Sequence, residues 1–419
     1  MTLVMVAVFA VLLLLAFPVG YALVISSGAA VMTLGAVPTV IAVVKLFQPT
    51  QSFPLLAIPF FILSGALMMS GTLGQKLVRF AATLVGRFPG GLTQVTVVGS
   101  TIFGGVSGSA VAEASALGTM LIPWQKREGY PAAFGAATTA SSAVIAGLIP
   151  PSIPLILFAA VSNASIASLF LAGILPGLLL AFGMMLVCYV SGRVRKFPLL
   201  TERITGRDIL GAFLTALPAL LMPVFILVLL RFGIATPTEV SVIAVAYALL
   251  VSLLIYRDLT IGRVYGALVG TVVTTGVVML VIAASNLVGY VLITEAIPNA
   301  VAQYAQNVLQ DWWLIILAMN VIMLVVGMFL DLPAAILLLG PTFVAVGSAI
   351  GMDVIQLGIM MAVNLSIGLF TPPIGTTLFI SAAIAREPIG AIVRELWPFY
   401  LVALVVLGLV SYVPAFTLY

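Results

Sequence analysis

Long apolar segments separated by short polar loops dominate the chain from its first residues. A helix that crosses a membrane needs about 20 apolar residues, and ten segments come close to or exceed that length. They lie at 3–25, 28–46, 53–70, 131–160, 165–191, 209–232, 238–256, 263–294, 354–384 and 396–414. The pattern predicts an all-α polytopic membrane protein with about ten transmembrane helices. The first segment has neither a basic start nor a small-residue cleavage site, which favours a retained span over a signal peptide.

Two further apolar stretches, 92–122 and 312–350, are interrupted in the middle. The first contains the sequence GGVSGS at 104–109, and the second contains Asp331-Leu332-Pro333. Glycine and proline interrupt helical hydrogen bonding, and non-helical backbone at membrane depth is tolerated only against protein or a wet cavity. We interpret both stretches as re-entrant helical hairpins. The alternative is one kinked span each.

The composition excludes most other protein classes. Hydrophobic residues make up 63% of the chain and charged residues 7%, whereas soluble domains carry about 25% charged residues. This excludes a soluble enzyme, a nucleic-acid-binding protein and a disordered chain. The chain has no histidine and a single cysteine, Cys188, which excludes a Cys/His zinc site and a thiol–histidine nucleophile. We expect no enzyme activity, although intramembrane catalysis by serine or aspartate remains open.

The few basic residues indicate the orientation in the membrane. Lys126 and Arg127 follow the first interrupted stretch, and the richest basic cluster lies at 193–207. If both interrupted stretches turn back, most Lys and Arg residues fall on the cytoplasmic side, as the positive-inside rule requires. Lys45 and Arg231 are exceptions. This orientation places both termini in the periplasm.

With this topology the chain divides into two repeats of opposite orientation, joined by a cytoplasmic linker at 193–208. Each repeat has scaffold spans, a hairpin, a broken helix and a final span, which is typical of secondary transporters. In the first repeat, 1–192, these parts lie at 1–70, 92–122, 131–160 and 165–191. In the second repeat, 209–419, they lie at 209–294, 312–350, 354–384 and 396–414.

The two broken helices carry Pro-Pro pairs at corresponding places, in GLIPPS at 147–152 and FTPPIG at 370–375. A Pro-Pro pair removes two backbone donors and leaves carbonyl oxygens without partners. One such break could be a kink, but two at matching positions indicate a function. Free carbonyls and hydroxyls suit Na⁺, and half-helix N-termini suit a carboxylate. Because the chain has no histidine for a proton relay, sodium is the better candidate for the coupling ion.

The chain resembles, over almost its whole length, the large membrane subunit of tripartite ATP-independent periplasmic (TRAP) transporters of the dicarboxylate type. The motifs that carry the resemblance are SFPLLAIP at 52–59, GRFPGG at 86–91, GVSGSA at 105–110, IPPSIP at 149–154, FLAGILPG at 170–177, Asp331 with the following Pro-Ala-Ala, and TPPIG at 371–375. Where the family usually has aspartate, this chain has Glu113, whose carboxylate is one methylene further from the backbone.

The resemblance implies an elevator-type ion-transporter fold in the bacterial inner membrane, in which hairpins and broken helices move against a scaffold. It also implies two partners, a small four-helix membrane subunit and a periplasmic solute-binding protein that delivers the solute. A sodium gradient would drive uptake, with no organic cofactor. Typical solutes are C4-dicarboxylates, sialic acid and other organic or sugar acids.

The resemblance also implies which residues bind the ions and the solute. The first sodium site would comprise Ser107, Ser109, Gly147 and Pro150. The second would comprise Gly327, Asp331, Gly368, Thr371 and Thr376. The solute would lie near Ser107, Gly108, Ser109, Ser152 and Asn364.

Other interpretations remain open from the sequence. Asn364 could join helices, and Asp331 could cap one. A stand-alone divalent-anion/sodium symporter would share the inverted repeats and hairpins but need no binding protein. A passive channel would conduct without sodium coupling.

Overall fold

The computed structural model describes residues 1–15, 17–33, 39–199 and 205–417, and nineteen α-helices account for most of these ranges. The helices of the first half are α1 (Thr2–Leu14), α2 (Val19–Met32), α3 (Thr39–Phe47), α4 (Ala57–Met69), α5 (Leu73–Val85), α6 (Gly91–Ser107), α7 (Ala110–Arg127), α8 (Ala132–Ser142), α9 (Ile153–Ser162) and α10 (Ile166–Val194). Those of the second half are α11 (Gly206–Arg231), α12 (Pro237–Leu250), α13 (Ile261–Thr294), α14 (Ile297–Leu309), α15 (Trp312–Gly327), α16 (Leu332–Ala349), α17 (Val354–Gly368), α18 (Thr376–Ala385) and α19 (Ile389–Tyr412).

The first two predicted spans, 3–25 and 28–46, are divided differently in the structure. The first helix ends at Leu14, and the next begins directly after Pro18, which lacks the N–H that a continuing helix needs. The predicted boundary between residues 25 and 28 lies inside α2. The hydroxyls of Ser26 and Ser27 both donate to the Leu23 carbonyl, so these serines bond within the helix instead of ending it.

The second half follows the predicted segments closely. Most of its helices begin and end within three residues of the apolar segments, and α19 differs most because it starts at Ile389, after Pro388, rather than at 396. Six helices in the described ranges are long and apolar enough to cross a membrane, or seven if α4 and α5, bent by 73°, form one span. The figure of ten crossings therefore stays a prediction, since several crossings would have to combine shorter helices.

The two halves have the same order of elements and matching contacts. The connectors α5 and α14 are amphipathic and each precedes a pair of helices that corresponds to a predicted hairpin. Among the predicted scaffold spans, α4 packs against α12, and α2 packs against α13. Each predicted broken helix begins against both arms of its own hairpin, α8 against α6 and α7, and α17 against α15 and α16. Its second part packs on the opposite hairpin, α9 on α16 and α18 on α7. The halves are thus interlocked.

Matching polar pairs fasten each broken helix to its own hairpin. Ser100 and Ser142 join α6 to α8 through their hydroxyls, 2.9 Å apart. In the second half, the Asn364 amide donates to the Asn320 side-chain oxygen at 2.7 Å and joins α17 to α15. Ser100 and Asn320 each lie seven residues before the end of their helix, α6 or α15. Ser142 and Asn364 each lie eight residues before a Pro-Pro pair. All four side chains are buried.

Candidate functional site

The tip of the first hairpin lies against the first Pro-Pro break. Gly108 joins α6 to α7 with φ +61°, a left-handed conformation that favours glycine. A Cβ on Gly108 would lie 2.0 Å from the Pro151 carbonyl oxygen, so only a residue without a side chain fits between tip and break. Ser107 and Ser109 flank this glycine and are half-buried. The structure therefore brings this tip and this break together.

The first break runs from the end of a 3₁₀ turn at Gly147 to the start of α9. Its Pro150–Pro151 peptide is cis. Ser152 closes the break, because its hydroxyl donates to the Gly147 carbonyl at 2.6 Å and accepts from the Leu155 N–H at 3.3 Å. The Ser152 side chain is thus already used as a helix cap. This geometry accounts for Ser152 without a solute.

The second hairpin meets the second break in a corresponding way. A Cβ on Gly368 would lie 2.2 Å from the Gly327 carbonyl oxygen. The Ile374 N–H, which lies after the cis Pro372–Pro373 peptide, donates to the Met328 carbonyl at 3.2 Å. The end of α15 and the loop between α17 and α18 are therefore in backbone contact. This brings predicted second-site residues together around main-chain carbonyls.

The two breaks also lie next to each other. A Cβ on Gly147 would lie 3.2 Å from the Ser366 hydroxyl, which belongs to the last turn of α17. On the other side, the Thr377 hydroxyl lies within hydrogen-bond distance of the Ala140 carbonyl, at 3.0 Å, and the Leu369 carbonyl, at 2.9 Å. Both interrupted helices therefore cross at one place, where unwound backbone from the two halves converges.

The predicted side chains have different surroundings. Thr371 donates to the Ile367 carbonyl of its own helix at 2.6 Å, which leaves its carbonyl as the more available ligand. Asp331 is exposed at the tip of the second hairpin, where it occupies the N-cap position of α16 beside the Leu332 backbone. Asn364 belongs to the polar pair with Asn320, which supports its role in joining helices. Its side-chain oxygen nevertheless has no partner among the described residues.

Three buried side-chain oxygens on α17 and α18 have no partner among the described residues. They belong to the side chains of Ser366, Thr376 and Asn364. Ser366 was missed by the sequence analysis, because a serine in an apolar helix usually bonds to its own helix. Buried polar atoms without a partner are uncommon in folded proteins and call for an explanation. Hydroxyl and carbonyl oxygens of this kind are the ligand type of hard cations.

Glu113 is a second buried polar side chain, and it lies close to Ser100 of α6. Its side chain is fully buried on α7, and neither carboxylate oxygen has a hydrogen-bond partner in the described ranges. It lies one helical turn after Ser109 and is therefore close to the first tip along the chain. The structure gives it no basic partner among the described residues.

Comparison with known proteins gives matches along the whole chain. A family model described as "Tripartite ATP-independent periplasmic transporter, DctM component" matches residues 6–416. The "Uncharacterized protein y4mL" of Sinorhizobium fredii is 52% identical and covers 100% of both chains. The "C4-dicarboxylate TRAP transporter large permease protein DctM" of Pseudomonas aeruginosa is 39% identical over 90% of this chain and 88% of that protein. The "Sialic acid TRAP transporter large permease protein SiaM" of Vibrio cholerae is 34% identical over 97% of this chain and 95% of that protein.

The fold also resembles a solved transporter structure. The YdaH transporter of Alcanivorax borkumensis superposes with a TM-score of 0.62, covering 89% of this chain and 87% of that chain. The sequence identity is 16%, so the likeness concerns the fold alone.

Proposed function

The chain belongs to the DctM family of large permease components of TRAP transporters, and from this premise we propose that it carries an organic anion into the cell together with sodium ions. Membership of this family places the chain in a multi-pass inner-membrane system that takes up a solute delivered by a binding protein. Beyond this membership we propose that sodium is the coupling ion, that the solute is a small organic acid and that the hairpins move with the broken helices.

The paired contacts between hairpin tips and helix breaks carry the proposal. Gly108 lies so close to the Pro151 carbonyl, and Gly368 so close to the Gly327 carbonyl, that a side chain on either glycine would prevent the contact. Carbonyls of unwound segments are the usual sodium ligands of transporters with broken helices. The first ion would be held by Ser107, Ser109, Gly147 and Pro150, and the second by Gly327, Asp331, Gly368, Thr371 and Thr376. We add Ser366, whose free hydroxyl lies beside Gly147.

The solute we propose is a small organic acid. The names of two relatives specify a C4-dicarboxylate and sialic acid, and both solutes carry a carboxylate at neutral pH. The N-terminus of α9 begins at the first break, and the N-terminus of α18 begins at the second. Helix N-termini attract anionic groups, so the region between the breaks suits a carboxylate held close to the sodium ions.

We propose that the hairpins and broken helices move together as the transporting part. The interlocking of α9 with α16 and of α18 with α7 supports this proposal, because it joins these elements of the two halves into one body. Outside this body, α2, α4, α12 and α13 pack on one another and would form the centre of the scaffold. The partners would be a small membrane subunit and a periplasmic binding protein.

Uptake by the intact complex in proteoliposomes tests the proposal. The proteoliposomes would contain this chain and its small subunit. The binding protein, loaded with radiolabelled succinate or sialic acid as first probes, would be added to them. We expect uptake to require an inward sodium gradient and to fall at least about tenfold when choline replaces sodium. Undiminished uptake in choline would indicate a passive channel. Full-rate uptake without the binding protein would indicate a stand-alone symporter.

A double variant tests the location of the first ion. Replacement of Ser107 and Ser109 by alanine should abolish sodium-dependent uptake while the complex still assembles. Ser241→Ala is the matched control, because its hydroxyl donates to the Thr238 carbonyl within the scaffold helix α12. If sodium dependence survives in the double variant, the first site lies elsewhere.

A further inference from the structure

A cavity of about 440 Å³ separates the proposed scaffold from the proposed transporting part. Its walls come from α3 and the following 3₁₀ turns, from α13, from the end of α9 and from the middle of α16. Its volume falls in the range of small-molecule sites, about 300 to 1,000 Å³. The proposed ion sites contribute none of its lining residues. This cavity is therefore distinct from the contacts between tips and breaks.

One charged residue, Lys45, lines the cavity among the described residues. Its ammonium donates to the Gln48 side-chain oxygen at 2.9 Å and lies 5.6 Å from the centre of the Tyr290 ring. These contacts hold the ammonium in place and use only one of its three N–H donors in hydrogen bonding. None of the carboxylates in the described ranges is paired with it. A cavity with an uncompensated positive charge favours an anion and disfavours sodium.

A second, independent observation is the Ser285 hydroxyl. Ser285 lines the same cavity and is buried, with 4% of its surface exposed. Its hydroxyl has no partner in the described part of the chain. The next residue, Asn286, donates its amide to the Lys45 carbonyl at 2.6 Å and thereby fixes α3 against α13. The cavity thus presents the Lys45 ammonium, and an unpartnered hydroxyl lies buried in its wall.

We propose that this cavity is a second binding site for the organic anion, occupied before the anion reaches the tips. The proposal rests on the proposed function for the class of solute. In the predicted topology Lys45, the end of α9, the second half of α13 and the middle of α16 all fall on the periplasmic side. This is the side on which a binding protein releases its solute. The site also gives a reason for Lys45, an exception to the positive-inside pattern.

Equilibrium dialysis of radiolabelled succinate tests the proposal. The complex of this chain with its small subunit is purified in detergent and kept in choline buffer without sodium, so that the proposed sodium-coupled site does not contribute. We expect saturable binding that neutral succinamide does not displace. Lys45→Gln should weaken it by roughly tenfold, since a charge-assisted hydrogen bond is lost. Lys45→Arg should retain it, and Ser285→Ala should weaken it to a smaller extent.

Arg231→Gln is the matched control, because this residue is the other predicted periplasmic exception and does not line the cavity. It should bind succinate like the unaltered complex. Equal affinity of the Lys45→Gln and Arg231→Gln complexes, or no saturable binding at all, would overturn the proposal. A phosphate-bearing lipid could use the same ammonium. If dioctanoyl phosphatidylglycerol binds in a Lys45-dependent manner and succinate does not, the site holds a lipid headgroup and the proposal is wrong.

The two proposals fail in different ways. Sodium-dependent uptake that is equal in the Lys45→Gln and Arg231→Gln complexes leaves the proposed function intact but removes this site from the path. Uptake without sodium dependence, together with Lys45-dependent succinate binding in choline, would contradict the proposed sodium coupling but leave the cavity site intact.

Discussion

Single residues at the helix breaks have two separate tasks. Ser152 and Thr371 use their hydroxyls on nearby backbone, so they hold the break in shape. Ser366 and Thr376 keep buried hydroxyl oxygens without partners in the described ranges, so they remain available to an ion. Residue type alone does not separate the two groups, since both consist of one serine and one threonine. The difference depends on which atoms the neighbouring helices bring close.

Gly108→Ala should abolish uptake and lower the thermal unfolding midpoint of the complex. The left-handed backbone costs an alanine about 1 kcal/mol, and its Cβ would collide with the Pro151 carbonyl at 2.0 Å. Gly233→Ala is the matched control, because Gly233 also has a left-handed backbone, φ +64°, but no atom within 4 Å of a Cβ. Uptake and unfolding measured on both variants separate backbone strain from tip contact. Equal losses would contradict a specific role for the contact.

At the scale of elements, prolines and charges made the second half predictable. Pro333, the pair Pro372–Pro373 and the basic loops all mark real helix ends there. In the first half the hydropathy pattern gave wrong boundaries for the first two spans, because Ser26 and Ser27 bond within α2 and Pro18 lies inside an apolar segment. The meeting of tips and breaks followed from paired motifs. The polar pair of Asn320 and Asn364 did not, because it depends on contact between distant helices.

One loop of the second half holds the first connector in place. Asp258, between α12 and α13, accepts hydrogen bonds from the Thr72 N–H at 2.5 Å and the Thr72 hydroxyl at 2.8 Å. Lys76, on the same connector, lies 3.8 Å from the centre of the Tyr256 ring. Burial raises the pKa of Asp258, but the bonds from Thr72, with Arg263 and Lys76, outweigh it and hold the pKa below its usual value.

Asp258→Asn should therefore lower the unfolding midpoint of the complex at pH 7. A carboxyl whose pKa is lowered by folding stabilises above its unfolded pKa, about 3.9, and this contribution disappears as the pH falls through the folded pKa. Unfolding midpoints in detergent between pH 3 and 7 should show the difference from the unaltered protein closing below about pH 4. Asp311→Asn is the control, because Asp311 caps no helix N–H in the described ranges. A difference that persists undiminished at pH 3 would contradict the role of the carboxylate.

At the scale of the whole molecule, the halves are joined both at the breaks and at the surface. Arg195, just after α10, forms a two-pronged ion pair with Glu395 of α19, with N–O distances of 2.9 and 2.8 Å. The final spans α10 and α19 also pack together. In contrast, the first hairpin touches α11 of the second half, where a Cβ on Gly105 would lie 3.1 Å from the Pro223 Cβ. The proposed movement would change the contact between the first hairpin and α11. It would leave the contact between α10 and α19 unchanged.

Cysteines at positions 105 and 223 should stop uptake when oxidised and restore it when reduced. Their Cβ separation of 3.1 Å is somewhat shorter than the disulfide range of about 3.5–4.5 Å, so a small outward shift allows a bond that would fix the hairpin to α11. Gly183→Cys with Val402→Cys is the matched pair, because its Cβ atoms would lie 3.5 Å apart between α10 and α19. Cys188 is replaced by alanine in both. Full uptake by the oxidised 105–223 pair would show that this hairpin does not move against α11.

The backbone approaches at Gly108 and Gly368 have a consequence for the genetics of this transporter. Main-chain oxygens cannot be removed by changing a codon, so the carbonyls among the proposed ion ligands are protected from point mutation, unlike the hydroxyls of Ser107 and Ser109. What a mutation can change is the space beside them, which is set by glycine codons. Random mutagenesis followed by selection for lost uptake should therefore recover substitutions at 108 and 368 as well as at the serines of the first tip. If the proposed ion sites are correct, they depend in part on backbone shape, whereas recognition of the solute depends on side chains that single substitutions can change.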